Sequence, residues 1–309
     1  MPHDEYLEAD EVGASGMTVV AVGSVTSAQY CQNVDAEALF WLNALTSYRM
    51  SRKRRQVGIE DSSSWIFNRM ADVYDARPPY PAALVDALYE LATSAGPRVL
   101  DIGAGIGHLA LPLARRGLQV VAVEPAKAML ECLQASAGSN GLSLQSIHAA
   151  AEALPLECES VDLALIADAL HFVDAELAGA QLRRVLVPYG ALAIITCEFT
   201  ATPFMREIRK LVAQRSDRRP RPAAQAIRHV ASLAQVRLAQ EWTFRDETPV
   251  DRHTLLRILR SVSFIGPAFG QSRFAAFSQD VQEIQEAAVW ARTFRVYAGR
   301  RLGPNATRH

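Results

Sequence analysis

Cysteine is scarce in this 309-residue chain. Cys31, Cys132, Cys158 and Cys197 lie far apart, and no two form a Cys-x-x-Cys pair. This argues against a disulfide framework or a zinc site and reads as buried, reduced thiols of a cytoplasmic protein. No run approaches 18 uninterrupted apolar residues, so no membrane span is expected. The opening residues, MPHDEYLEADEVG, are acidic and lack the basic and apolar regions of a secretion signal. No spacing of His, Cys, Asp and Glu has the pattern of a metal-ligand set, so no metal is expected. There is no internal repeat or long low-complexity tract. Net charge is also missing, at −1 overall, with half the residues apolar, as in an ordinary globular protein.

That neutral total hides an asymmetry. Residues 201–309 hold 19 Lys and Arg against 9 Asp and Glu, so the rest of the chain is acidic. A basic third is compatible with an anionic or carrier-linked substrate or with nucleic acid, and equally with arginines on solvated helix faces. The run from Arg49 to Arg55 has the same two readings.

What is present centres on residues 97–125, PRVLDIGAGIGHLALPLARRGLQVVAVEP. Residues 99–102 are a short apolar run containing Asp101. Gly103-Ala104-Gly105-Ile106-Gly107 is a glycine-rich turn, residues 108–116 continue as a helix, and 120–123 form a second β-branched run closed by Glu124. Continuous apolar runs of this kind are parallel strands buried on both faces. The glycines allow positive φ and close approach of a ligand to the backbone at a helix N-terminus. Glu124 follows the turn by about 20 residues, where an acid grips ribose hydroxyls. A dinucleotide fingerprint fails, because its sixth position is His108 and not glycine.

The pattern Asp101-x-Gly103-x-Gly105-x-Gly107 resembles motif I of the class I S-adenosylmethionine-dependent methyltransferases. The resemblance runs over residues 65–197 and points to the small-molecule branch (methyltransferase type 11, quinone C-methyltransferase-like). Residues 68–81, NRMADVYDARPPYP, look like its lead-in. Ala151-Glu152-Ala153-Leu154-Pro155 with Ser160-Val161-Asp162 resembles its AE-x-LP…S-x-D segment. Ala167-Asp168-Ala169-Leu170-His171-Phe172 resembles its fourth-strand end, and RVLVPYG at 184–190 resembles RVL-x-PGG, with Tyr189 replacing a glycine. Motifs in the correct order are far more specific than one glycine loop.

The resemblance implies a doubly wound, mostly parallel seven-stranded Rossmann-like α/β sheet, with a helical N-terminal extension and helical C-terminal additions. It implies a cofactor, S-adenosylmethionine, held by Tyr74, Arg77, Asp101, Gly103, Ala104, Gly105, Gly107, Glu124, Pro125, Ala151, Glu152 and Asp168. Within that set Asp101 holds the loop or the amino group, Glu124 the ribose, and Pro125 with Ala126 the adenine. Arg77 either pairs with the methionine carboxylate or caps a surface loop. Ala150 stands where many relatives carry an acid, so Glu152 or backbone groups take the adenine amino group instead. His171 is the expected catalytic base, against the alternative of a hydrogen-bonded core histidine.

The expected organisation is an extension over 1–60, a cofactor-binding core over 61–200, and a mainly helical substrate-binding region over 201–309. Residues 1–16 read as disordered, 17–27 as an edge strand or arm, and 36–50 as a helix; the extension serves as a lid or as a dimer arm. Helices are expected over 65–74, 81–95, 126–135, 174–187, 203–214, 223–239 and 252–259, and a long terminal helix over 279–300. The aromatics Trp41, Trp65, Phe67, Phe199, Phe204, Trp242, Phe264 and Phe269 are candidates for an apolar acceptor pocket.

The expected function is methylation of a small molecule at oxygen or carbon, as in natural-product tailoring. Three alternatives stay open: a quinone-type C-methyltransferase, an RNA or protein methyltransferase, and a protein that binds S-adenosylmethionine without transferring methyl. Nucleic acid is not an expected partner, since no RNA-binding module is recognisable.

Overall fold

The computed structural model describes residues 18–19, 66–216 and 223–303. The expected tail over 1–16, the helix over 36–50, the basic run from Arg49 to Arg55, and Trp41 and Trp65 lie outside the described residues. Of the stretch over 17–27, only Thr18–Val19 (β1) is described, and it pairs with the edge of the sheet.

The β-branched run before the glycine turn forms β2 (Arg98–Ile102), and the run before Glu124 forms β3 (Gln119–Val123). Between them lies α3 (Ala110–Arg115), preceded in the chain by α1 (Ala71–Tyr74) and α2 (Ala82–Ala95). The alternation continues through α4 (Lys127–Ser139), β4 (Gln145–Ile147), β5 (Val161–Ala167), α5 (Ala175–Val185) and β6 (Leu186–Phe199). Asp174 caps α5 by accepting the backbone N–H groups of Glu176 and Leu177.

The remaining third adds α6 (Pro203–Ala213), α7 (Ala223–Leu233), β7 (Val236–Pro249), α8 (Arg252–Ser261), α9 (Gly266–Glu283) and β8 (Val289–Arg301). Spatial order in the sheet is β1-β7-β8-β6-β5-β2-β3-β4. The strands from β4 to β6 are parallel, while β8 is antiparallel to both β6 and β7. The seven longer strands make the expected doubly wound, mostly parallel sheet. The chain steps outward from β2 to β4 and then returns to place β5 on the other side of β2. That reversal opens a crevice beyond the carboxyl ends of β2 and β5.

Successive strand residues point to opposite faces, and both faces are covered. Val99, Val120, Leu163 and Leu165 pack with Leu84, Leu88 and Leu113 on one side. Leu100, Ile102, Ala164 and Ile166 pack with Leu182, Ile227 and Val230 on the other. A third cluster, including Phe204, Ile208, Leu255, Phe264 and Trp290, brings α6, α8 and α9 together. A small fourth one joins Ile66, Met70 and Val73 to Ala126 and Met129 at the start of α4.

Three helices expected from the sequence are corrected. The helix from 223 stops at Leu233, and β7 takes over at Val236. The long terminal helix over 279–300 does not exist: α9 ends at Glu283 and β8 occupies most of the span. The region after 200 is therefore not simply helical additions, since it supplies two of the sheet's longest strands. The alanines and arginines of β8 favour helix locally, but its backbone is paired on both sides, to β6 and to β7. Tertiary hydrogen bonding overrides a weak propensity. The segment over 65–74 is a 3₁₀ turn (Ile66–Arg69) followed by the short α1, not one helix.

β8 also carries a buried ionic strut. Arg292 is 7% exposed. Its Nε donates to Asp246 Oδ2 at 3.0 Å, and its Nη1 and Nη2 donate to the carbonyls of Pro78 and Pro79 at 3.0 and 2.8 Å. The β7–β8 strand pair thus fixes the Pro-Pro turn before the core. Removing one partner leaves the other charge buried and uncompensated. Asp246→Ala is expected to cost about 3 kcal/mol in urea unfolding, with Asp246→Asn retaining part of that. No helix among the described residues is long and apolar enough to cross a membrane.

Candidate active site

The glycine turn leaves β2 at the crevice and is tied to the neighbouring strand. Gly103 and Ala104 donate backbone N–H to the Val123 carbonyl at 2.8 and 3.1 Å. Glu124 completes the strap: Oε2 accepts from Gly105 N and Oε1 from Ala126 N, each at 2.8 Å. The turn is left-handed where the glycines stand, with φ of +70° at Gly103 and +57° at Gly105. A Cβ on Gly103 would lie 2.7 Å from the Ala169 Cβ, whereas one on Gly105 would meet nothing closer than Tyr74 Cε1 at 3.8 Å. Gly105 therefore leaves room on its cleft side, bordered by the Tyr74 ring, for a ligand to approach the backbone.

Two adjoining cavities share Phe67, Tyr74, Gly103, Gly105, Ala167, Asp168 and Phe172, and together make one cleft. Eight of the residues named from the sequence line the larger part: Tyr74, Arg77, Asp101, Gly103, Ala104, Gly105, Asp168 and His171. Glu124, Pro125, Ala151 and Glu152 line the smaller part. Gly107 lines neither; its N–H closes the turn onto the Ala104 carbonyl at 2.9 Å. Ala126 is buried behind the wall.

Three carboxylates converge here. Burial pushes Asp101 up to about 7, with the Glu124 charge adding to it and a backbone hydrogen bond from Ala110 opposing. Burial likewise takes Glu124 to about 7 against its two backbone donors. Asp168 has φ of +50° and accepts the Cys197 N–H at 2.8 Å. Desolvation raises it to about 6, opposed by Arg77 and Arg292. Glu152 accepts the Asp174 N–H at 2.7 Å, at the entry to α5.

Arg77 sits across the cleft with its guanidinium 4.2 Å from the Tyr74 ring centroid. Its Nη1 donates to Tyr74 Oη at 3.0 Å, and its Nε and Nη2 hold Ser261 Oγ and the Ser261 carbonyl at 2.8 and 2.6 Å. The lead-in segment is thereby latched to the end of α8. His171 lies in a 3₁₀ turn (Leu170–Phe172) with its ring centroid 3.9 Å from that of Phe172.

Sequence reasoning missed several wall residues. His108 was visible only as the residue that breaks a dinucleotide fingerprint. In the cleft its ring lies 6.0 Å from Tyr74 and 6.5 Å from Tyr80. Burial, then Arg77 and Arg292, lower it to about 4, which keeps the imidazole neutral. Trp290, Arg292 and Phe294 also line the cleft. They were hidden because their strand reads as helix. Of the candidate pocket aromatics, Phe67, Phe199 and Phe264 reach the wall, and Phe204, Trp242 and Phe269 do not.

Residues 100–194 match the model of the methyltransferase domain. An uncharacterized methyltransferase of Mycobacterium bovis is 42% identical over 119 residues, covering 38% of this chain and 46% of the relative. A demethylmenaquinone methyltransferase of Clavibacter sepedonicus is 32% identical over 161 residues, 50% of this chain and 62% of that one. The chain thus spans about half the length of the curated relatives it matches. The crystal structure of the MccD protein shares the fold with a TM-score of 0.50 at 15% identity, over 74% of this chain and all of that one. The glycine turn, Glu124 and Asp168 all fall within the matched residues, whereas Arg77, Trp290 and Arg292 lie outside them.

Proposed function

We propose that the protein is an S-adenosylmethionine-dependent methyltransferase acting on a small molecule. The observation that carries this reading is the open backbone at Gly105, strapped by Glu124 and faced by the buried carboxylates Asp101 and Asp168. Buried carboxylates held near neutrality suit a cationic ligand, which relieves their desolvation. Glu124 takes the ribose, Pro125, Ala151 and Glu152 surround the base, and Tyr74, Arg77, Asp101 and Asp168 hold the methionine end. Residues 61–200 then bind cofactor, while 201–309 complete the acceptor side. The bound cofactor supplies a methyl group on a positive sulfur.

Transfer of that methyl is an in-line displacement in which an acceptor lone pair forms the new bond as the C–S pair returns to sulfur. The protein's part is alignment and exclusion of water. Where the acceptor atom carries a proton, His171 takes it. His171→Ala is expected to lower turnover about 100-fold with unchanged affinity for S-adenosylhomocysteine in calorimetry. Full activity would remove His171 from the role and leave His108 as the histidine of the cleft.

A small acceptor is also supported by the fate of the basic residues. Arg215 pairs with Asp280, Arg257 with Asp75, Arg292 with Asp246, and Arg295 with Glu198 and Glu241. Arg252 holds the carbonyls of Val281, Ile284 and Glu286. These five arginines after residue 200 are thus engaged with carboxylates or carbonyls of the fold. The deciding experiment supplies methyl-labelled S-adenosylmethionine with an extract of the source organism. Label in the organic-soluble pool supports this reading, and label in RNA or protein overturns it.

A further inference from the structure

The lead-in segment is gripped at the cleft by one face of α8. Arg257 and Ser261 stand about one turn apart on that helix, so they share a face, and each holds a residue of the segment. Arg257 Nη2 donates to Asp75 Oδ1 at 2.7 Å. Ser261 takes Arg77, its Oγ accepting from Nε at 2.8 Å and its carbonyl from Nη2 at 2.6 Å. Ser261 is fully buried, and its own hydroxyl donates to the Ile258 carbonyl at 2.6 Å. Leu255, Ile258 and Leu259 tie α8 into the third core cluster, so the support is anchored.

Both Ser261 oxygens meet one edge of the guanidinium, the fork of Nε and Nη2, and such a fork fixes the orientation of the plane. The Tyr74 ring lies 4.2 Å away, and Tyr74 Oη accepts from Nη1. A guanidinium carries five N–H groups, so donors remain on the Nη edge, and Arg77 lines the larger cavity together with Asp101 and Asp168. The Arg77 charge is near enough to Asp168 to oppose the rise in its pKa, yet none of its hydrogen bonds goes there. An untethered cation beside a desolvated carboxylate closes onto it and fills the space between them.

We infer that Ser261 is a positioning residue for the cofactor: it holds the Arg77 guanidinium apart from Asp168, turned so that its remaining N–H groups meet the carboxylate of the cofactor's amino-acid end. This rests on the proposed methyltransferase reading and deepens it. Arg77 makes the contact, and Ser261 acts only through Arg77. Ser261 lies 184 positions from Arg77 and outside the residues matched to the methyltransferase domain, so nothing in the glycine-turn motif supplies it.

The test compares two probes on the full chain by calorimetry. S-Adenosylhomocysteine carries the amino-acid end, and 5′-methylthioadenosine has the nucleoside and thioether without it. Ser261→Ala is expected to weaken S-adenosylhomocysteine about tenfold and to leave 5′-methylthioadenosine unchanged. Arg77→Lys keeps the charge but cannot fork onto Ser261, so the same split is expected. The double variant should bind no more weakly than Arg77→Lys alone, because the two residues act as a unit. Equal weakening of both probes would show a merely structural role and overturn the inference. Full S-adenosylhomocysteine affinity in either single variant also overturns it, and the lysine variant suffices if Ser261→Ala does not fold. Wild-type protein that binds the two probes alike overturns it as well, since the amino-acid end is then not gripped. Binding of neither probe would instead strike the methyltransferase reading itself.

Discussion

Gly105→Ala is expected to fold and to bind S-adenosylmethionine about 100-fold more weakly than the wild type. The reasoning separates strain from occlusion. At φ of +57° a Cβ costs about 1–2 kcal/mol, and the nearest atom, Tyr74 Cε1 at 3.8 Å, leaves room for it. The fold therefore survives. The new methyl group occupies the face on which the ligand would lie, and a displacement near 1 Å there is enough for a loss of this size. Gly117→Ala is the control. It has φ of +87° with nothing within 4 Å of its Cβ, so it carries the strain without the occlusion. The two variants should lose similar stability in urea, and only Gly105→Ala should lose affinity in calorimetry. Equal affinities would remove the glycine turn from the cofactor site.

S-Adenosylmethionine affinity is expected to rise about tenfold between pH 5.5 and 7.5, while S-adenosylhomocysteine affinity changes much less. Asp101 and Glu124 stand at about 7 and Asp168 at about 6 in the ligand-free protein, each raised chiefly by desolvation. A sulfonium favours their ionised forms, so binding it releases protons, and its affinity climbs until the carboxylates are ionised beforehand. The thioether product carries no such charge. The same groups govern stability. Because their folded values lie above the unfolded ones near 4, the stability they contribute is full below about pH 4 and is lost as pH rises through 6 to 7. His108, lowered to about 4, works in the opposite sense, contributing above about 6.5 and losing that as pH falls. With three carboxylates against one imidazole, the ligand-free protein should melt lower at pH 8 than at pH 5, and S-adenosylmethionine should reduce the difference. A flat melting profile, or equal pH dependence for the two ligands, would show that these carboxylates do not meet the sulfonium.

The parallel half of the molecule was legible because its signals are local. A buried strand must be apolar throughout, and a left-handed turn needs glycine. A helix start needs a cap such as Asp174, and an acid at a strand end has only the next turn to face, as Glu124 does. Residues 97–199 meet these conditions within short windows, and the order of their motifs carried the cofactor reading with them. Tyr189, with φ of +64°, occupies the left-handed position where the resembled motif has glycine, so even that departure was visible as a departure.

The rest was decided by contacts between residues far apart in the chain. β8 is a strand because β6 and β7 pair with its backbone on both sides, although its own alanines and arginines favour helix. That pairing brings Trp290, Arg292 and Phe294 to a cleft begun more than two hundred residues earlier, at Phe67. His108 is a neutral wall group chiefly because it is buried, with Arg77 and Arg292 brought beside it from distant parts of the sequence adding to the effect. Arg77 is a latch because Ser261 is there to receive it. Sequence alone determines the turn and the strands that frame it, and it supplies the motif on which the proposed cofactor reading rests. The proposed acceptor pocket is a property of packing, since its walls come from segments far apart in the chain.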